Sequence, residues 1–425
     1  MRTLGYSSRG PSVQLLQLAL DRAGYGPLER DGIFGARTAD ALRRFQTANA
    51  LVPDAVAGRQ THAVLMPWYT GYLRHRMRPG ESFYSLSRLY GTDAAAIELA
   101  NPTLRPTAVP VGAAVTVPLP FDVVPTDVAY GSALTALCVR GLCARYPFIT
   151  CSSIGRSVMG RPLWRLSMGT GENRVAYSAA YHANESITTP ILLKFAEELA
   201  AAYASGGAIF AQSAAELLDY ARLSLVPLID PDGVDLVTGD LQSGRFHTGA
   251  AAIAARYPAL PFPSGWKANI MGTDLNLQFP ALWDTAREIK AAAGVTGPAP
   301  ANFVGAAPLS APESRAIYDH TLAFDPSLVI ALHTQGEVIY WRFEDLEPPV
   351  SRDIVGTFSA VSGYAAADTP YSASFAGYKD WFIQSFRRPG FTVEAGRGVN
   401  PLPISDFDGI YARVRGILTL GALVT

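Results

Sequence analysis

The sequence predicts a large α/β domain with a mostly parallel, mixed sheet flanked by helices, preceded by a small all-α module and a small βααβ module. Three observations carry this. At 425 residues the chain exceeds the length at which one hydrophobic core stops growing. From about Pro120 onward, apolar strand-like runs alternate with amphipathic helical stretches, the pattern of a sheet with helices on its faces. Ahead of that region lie two short segments, each with its own turn signals and each too small to enclose a deep pocket. The expected divisions are residues 1–69, 70–119 and 120–425.

In the first segment, residues 5–68, Val13 to Leu20 gives a helical apolar stripe, Asp31-Gly32-Ile33-Phe34-Gly35 a tight loop, and Thr38 to Ala50 a second helix containing Arg44-Phe45-Gln46. This arrangement of helix, D-G-x-F-G turn and helix closing on F-Q resembles the peptidoglycan-binding module. In the second, residues 71–118, a strand, two helices and a strand are expected. Arg78 to Phe83 starts it, Leu86 to Tyr90 forms a helix stopped by Gly91, Ala94 to Ala100 a second helix, and Val115 to Pro118 a closing strand. The P-G-E-S-F-Y-S-L-S and E-L-A-N-P runs resemble a LysM domain, which implies binding of N-acetylglucosamine-containing glycan strands through residues 1–119.

In the third region the strand candidates are Arg174 to Tyr181, Leu223 to Ile229, Leu328 to Leu332 and Phe391 to Glu394, with a helix over Pro190 to Ala202. Chemistry in such sheets gathers just past the carboxyl ends of the strands. Ala292 to Pro308, rich in Ala, Gly and Pro, reads as a surface loop, and no internal repeat is apparent.

Composition excludes several classes. A formal net charge of -1 lacks the basic surplus of nucleic-acid binding, and no apolar run approaches the roughly 18 residues of a membrane span. Hydrophobic residues at 49% and charged residues at 17% describe a folded chain. The three cysteines, Cys138, Cys143 and Cys151, include no C-x-x-C pair and read as buried thiols rather than a disulfide or metal site.

The candidate chemistry sits at strand ends. Val175 to Tyr181 leads into His182-Ala183-Asn184-Glu185, a histidine and a carboxylate three apart, which can close on one ion if the chain turns there. An H-x-x-E alone is common by chance. A second strand-end histidine, His333 after Leu328 to Leu332, changes the balance: two histidines and one glutamate leave a position open, the ligand set of a catalytic zinc rather than a structural one. Asp274 is the candidate partner that orients a ligating histidine. Glu394, closing Phe391-Thr392-Val393, has apolar neighbours that would shift its proton affinity upward, toward the range of a general base.

In order, H-x-x-E, D-x-N, a strand-end H, Y-x-A-S followed by D-W, and T-x-E resemble the zinc metallocarboxypeptidases related to carboxypeptidase A, over residues 125–425. The resemblance implies that His182, Glu185 and His333 bind one zinc ion and that Glu394 is general base and acid. It also implies that Tyr371 closes over substrate, and that Lys267, after Trp266, replaces an arginine that polarises the scissile carbonyl. Where the digestive members carry an asparagine-arginine pair for the terminal carboxylate, Asn276 is followed here by Leu277 and Gln278. Leucine cannot replace a guanidinium fork, which argues against trimming of free C-termini.

The runs Asp274 to Ala281, Gly377 to Ile383 and Arg387 to Phe391 are similar to the γ-D-glutamyl-meso-diaminopimelate peptidases, which implies cleavage of peptidoglycan stem peptides. Asn276, Gln278, Lys379 and Arg397 are then the expected substrate contacts, with solvated surface charge as the alternative for Lys379 and Arg397. The rival functions are a zinc carboxypeptidase trimming stem ends and an inactive wall-binding scaffold. The wall modules place the chain at the cell wall, outside the cell or on spores. Met1 to Gly10 lacks the apolar core of a secretory leader, which keeps a cytoplasmic location open.

Overall fold

The computed structural model describes residues 1–424. The chain divides into two compact units, residues 1–128 with 133–150, and residues 129–132 with 151–425. In the first unit, α1 (Pro11–Leu20), α2 (Ala36–Ala48) and α3 (Arg59–Thr70) are followed by β1 (Tyr72–Arg76), α4 (Phe83–Tyr90), α5 (Ala94–Leu99), β2 (Ala114–Pro118) and α6 (Ser132–Arg145), of which all but Ser132 belongs to this unit.

The helical module contains a repeat that its sequence hides. Gln17 Nε2 donates to Asp31 Oδ1, the Ile33 carbonyl and Thr38 Oγ1, while its Oε1 accepts from Gly32 N–H. Gln46 makes the same four bonds to Asp54, Val56, Thr61 and Ala55. In each copy a buried glutamine staples the following loop to the next helix, and the aspartate accepts from the N–H two residues on. Asp31, Gly35 and Thr38 recur at the same spacing as Asp54, Gly58 and Thr61, while Gly32 is matched by Ala55, so the expectation of no internal repeat is corrected by the hydrogen-bond pattern.

β1 and β2 pair antiparallel from Tyr72↔Pro118 to Arg76↔Ala114. The opening strand is Tyr72–Arg76; Arg78 to Ser82 is a turn, in which Glu81 accepts from the Arg78 N–H and from His75 Nε2. Ser82 caps α4 in a capping box with Ser85, and Gly91 ends it in the left-handed region at φ 65. Asn101 then locks α5 to β2, donating to the Ile97 and Thr116 carbonyls and accepting from Thr116 N–H. The cysteine reading is corrected: Cys143 and Cys151 are each disulfide-bonded, whereas Cys138 stays a buried thiol whose Sγ donates to the Val123 carbonyl.

The second unit contains β3 (Thr150–Arg156, all but Thr150 in this unit), β4 (Pro162–Met168), β5 (Asn173–Ala179), α7 (Thr188–Ser205), a small hairpin of β6 (Ala208–Ile209) and β7 (Gln212–Ser213), α8 (Ala214–Tyr220) and β8 (Ala221–Val226). It continues through α9 (Pro231–Thr238), α10 (Gly244–Ala254), α11 (Trp283–Ala292), α12 (Pro312–Phe324), β9 (Leu328–His333) and β10 (Val338–Tyr340). It closes with α13 (Ser351–Ser362), β11 (Ala365–Ala367), α14 (Tyr378–Phe386), β12 (Gly390–Glu394) and α15 (Phe407–Gly421).

Eight strands form one mixed sheet in the order β11-β10-β12-β9-β5-β8-β4-β3. Its centre, β12, β9, β5 and β8, is parallel, and β10 and β4 turn antiparallel on either side. Every residue of β9 is buried, as a strand covered on both faces requires. Alternate side chains sort to the two faces. Ala176, Val329 and Ala331 pack with Ile317, Tyr378, Trp381 and Phe382 of α12 and α14. Tyr177 points the other way, its hydroxyl donating to the Leu418 carbonyl of α15.

Candidate active site

The parallel register brings three chemical groups to one edge. Glu394 is paired with His333 across β12 and β9, and Leu332 with Ala179 across β9 and β5, so the carboxyl ends of three adjacent strands lie side by side. Beyond β5 the chain turns: Glu185 N–H donates to the His182 carbonyl, and Thr188 Oγ1 ties the Glu185 carbonyl to the Ala180 N–H. The Ala183 N–H bonds the Lys267 carbonyl, which fixes the turn against a second loop. The turn that the H-x-x-E spacing needed is therefore formed.

His182 Nδ1 lies 2.8 Å from Glu185 Oε1, His333 Nδ1 3.0 Å from Glu185 Oε2, and the two Nδ1 atoms 3.1 Å from each other. All three side chains are buried. Ligand atoms at about 2.1 Å from one tetrahedral zinc stand roughly 3.4 Å apart, close to this spacing. The tautomer fits as well. Asp274 Oδ1 accepts from His182 Nε2 at 3.2 Å, which leaves the Nδ1 lone pair directed at the cluster. His333 Nε2 is buried with no hydrogen-bond partner among the described residues, and its ring is held instead by stacking on Tyr181 at 5.4 Å. The donor set of two imidazole nitrogens and a carboxylate can hold one metal ion.

Electrostatics follow from burial and these contacts. Burial favours a neutral Glu185, but His182 and His333 outweigh it and hold the carboxyl far below its usual range. Asp274 is held low in the same way, by Lys267 and His182 against burial. For His182, burial is outweighed by Glu185 and Asp274, and its proton affinity rises; in His333 burial wins and lowers it. Glu394 moves the other way: burial, then the Glu185 charge, push it up to about 8 against Lys267 and His182. A bound cation would join Lys267 in favouring the carboxylate. Lys267, half-buried 3.9 Å from Asp274, is raised overall, because Asp274, Glu185 and Glu394 outweigh its burial.

One cavity joins His182, Lys267, Asp274, Asn276, Lys379 and Glu394. Asn276 enters it from the turn after Asp274, its Oδ1 accepting from Tyr378 N–H. Lys379 is buried, ion-paired to Asp380 and donating to the Arg342 carbonyl, so it is not solvated surface charge. Tyr371 stands on a single 3-10 turn, Tyr371–Ala373, at 69% exposure outside the cavity wall, while Thr369, Pro370 and Ala373 of the same loop line it.

Two expected contacts are not brought to the cavity. Gln278 is wholly buried and its amide is already satisfied: it donates to the Val304 carbonyl and accepts from the Ala311 N–H at 2.8 Å and the Ser310 hydroxyl. A Cβ on Gly305, at φ +87, would collide with its amide, so the glutamine and the glycine form one staple. Arg397 is 76% exposed at its side chain and pairs with Glu337 at 2.8 Å.

The Ala292 to Pro308 reading is corrected too. Its second half is an inner wall: Ala299, Pro300 and Val304 are buried, and Asn302 N–H bonds Asp274 Oδ2. Lys290, Asn302 and Tyr340 also line the cavity and were missed. Tyr340 sits opposite Thr392 across β10 and β12, a register no local pattern reveals.

A mixed α/β sheet with a His-Glu-His set and a carboxylate at its central strand ends defines a metal-dependent hydrolase. The chain belongs to the zinc carboxypeptidase family, whose model matches residues 138–410, and residues 9–65 match the peptidoglycan-binding domain family. Over 283 residues it is 45% identical to gamma-D-glutamyl-L-diamino acid endopeptidase 1 of Lysinibacillus sphaericus, covering 67% of this chain and 69% of that one. It is 42% identical over 283 residues to the protein YqgT of Bacillus subtilis, covering 64% of this chain and 72% of that one. Among solved structures it resembles the carboxypeptidase A of Helicoverpa armigera, with a TM-score of 0.53 at 15% identity over 91% of this chain and 95% of that one. The fold is thus shared where little sequence is. The enzyme is a zinc metallopeptidase.

Proposed function

We propose that the enzyme hydrolyses the γ-D-glutamyl-meso-diaminopimelate bond of peptidoglycan stem peptides, as a cell-wall endopeptidase. The observation that carries this is the complete His182, Glu185, His333 and Glu394 set beside Leu277, which lines the cavity without offering a donor. The peptidase relative named for this bond class supports the same reading.

His182, Glu185 and His333 would hold the zinc ion, which supplies Lewis-acid polarisation of the scissile carbonyl and lowers the proton affinity of water. Glu394 accepts the proton of the attacking water and passes it to the leaving amine. Its desolvated position keeps its affinity high enough for both transfers. The Lys267 ammonium faces the charge that develops on the carbonyl oxygen, and Asp274 orients both Lys267 and His182. Tyr371 closes over bound substrate from its exposed turn. Lys379 and Asn276 meet polar groups of the peptide.

The helical module and the βααβ module, read as a LysM domain, hold glycan strands and raise the enzyme's concentration at the wall without altering the site. The disulfide-bonded state of cysteines in this chain suits an oxidising, exported setting. Among the described residues no helix is long and apolar enough to cross a membrane.

Mass spectrometry of products from L-Ala-γ-D-Glu-meso-diaminopimelate tests this. The expected result is zinc-dependent release of L-Ala-γ-D-Glu; release of a terminal residue from longer stems, with this bond intact, would favour a carboxypeptidase instead.

A further inference from the structure

Three lysines line the cavity, and carboxylates of the protein match only two of them. Lys267 lies 3.9 Å from Asp274, and Lys379 is paired to Asp380. Lys290, half-buried on α11, donates to the Ser372 carbonyl at 2.9 Å and makes no ion pair among the described residues. An ammonium carries three N–H donors, so this one keeps donor capacity on the cavity side.

Charge counting sharpens the point. Glu185 and Glu394 would balance a bound divalent cation, Asp380 balances Lys379, and Asp274 is the one carboxylate that acts on both Lys267 and Lys290. The positive charge left on the wall is that of Lys290. Nearby in the same cavity, Asn276 spends its Oδ1 on Tyr378 N–H and keeps its amide N–H groups without a partner among the described residues.

We propose that Lys290, with the Asn276 amide, receives a carboxylate of the substrate and is a specificity-determining residue of this site. The inference rests on the stem-peptide reading, since D-glutamate and diaminopimelate bring three carboxylates to the cleft. It also explains how the enzyme can dispense with an arginine at position 277: a cation supplied from α11 takes over part of that task. Because Lys290 holds the turn that carries Tyr371, the carboxylate and the tyrosine share one anchor.

The test measures binding by calorimetry to zinc-loaded E394Q, alone and combined with K290M or K290R. The ligands are L-Ala-γ-D-Glu-meso-diaminopimelate and its three monoamides, each with one carboxylate converted. K290M should weaken the parent peptide and two of the monoamides roughly 10- to 100-fold and leave the third unchanged, because its amide has already removed the contact. K290R should retain most of the affinity. Equal weakening of all four ligands would reduce Lys290 to a latch for the Tyr371 turn, and no weakening, or no binding of any of them to E394Q, would overturn the proposal outright. Product analysis of the wild-type enzyme on the same peptide separates the two readings: cleavage at another bond refutes the assigned bond, while the amide pattern still decides Lys290.

Discussion

The site is built from two kinds of region, and they differ in what holds them. His182, Glu185, His333 and Glu394 stand on or just beyond the ends of β5, β9 and β12, where strand register sets their positions. The rest of the wall, Asp274 to Gln278, Lys290, Asn302 and Thr369 to Asp380, comes from loops and helix ends whose geometry depends on tertiary staples. The sheet edge supplies the reacting groups, and the loops supply orientation and selectivity. Substitutions on the two should fail differently.

At the edge, Glu394→Gln should lower kcat by about 10²- to 10⁴-fold while zinc content stays unchanged, since only proton transfer is removed. Asp274→Asn should act through His182, costing about 10- to 100-fold in zinc affinity or activity, seen as easier loss of zinc to a chelator. In the loops, Gln278→Leu should leave catalysis per folded molecule within about twofold. It should lower stability by about 1–3 kcal/mol for each backbone group left unpaired, read as a fall in Tm. A large kcat loss without destabilisation would break the division drawn here.

A smaller effect concerns pH. Glu394 is raised from 4.5 to about 8 in the metal-free fold, so its folded state holds a proton that the unfolded chain releases earlier. Its contribution to stability is present below pH 4.5 and is lost as pH rises toward 8. Metal-free wild type should therefore lose stability relative to metal-free Glu394→Gln across that window, measured by denaturant unfolding at each pH. A constant difference would show that burial does not govern this carboxyl.

The same contrast explains what could be read in advance. Periodicity located β5, β9 and β12, and position at a strand end picked out His182, His333 and Glu394, because a strand's last residue is exposed to its neighbours by register alone. Gln278 is expected at the cavity from the resemblance over Asp274 to Ala281, and Arg397 as a cation for the substrate's carboxylates. Their fates depended on the Val304 to Ala311 backbone and on Glu337, which sequence distance does not encode. Lys290, in a helix with other charged residues, reads as a solvent-facing lysine, and only the fold turns it inward. The glutamine staples of the helical module were hidden for a related reason: two copies share a bonding scheme while most of their residues differ.

The central claim, that neighbouring strand ends assemble one zinc site with a separate base beside it, is tested most directly by measuring zinc per chain in wild type, His182→Ala, Glu185→Gln, His333→Ala and Glu394→Gln. One zinc in wild type and in Glu394→Gln, with its loss from each of the other three, is the predicted result. Retention of zinc in those three, or its loss from Glu394→Gln, would contradict the account.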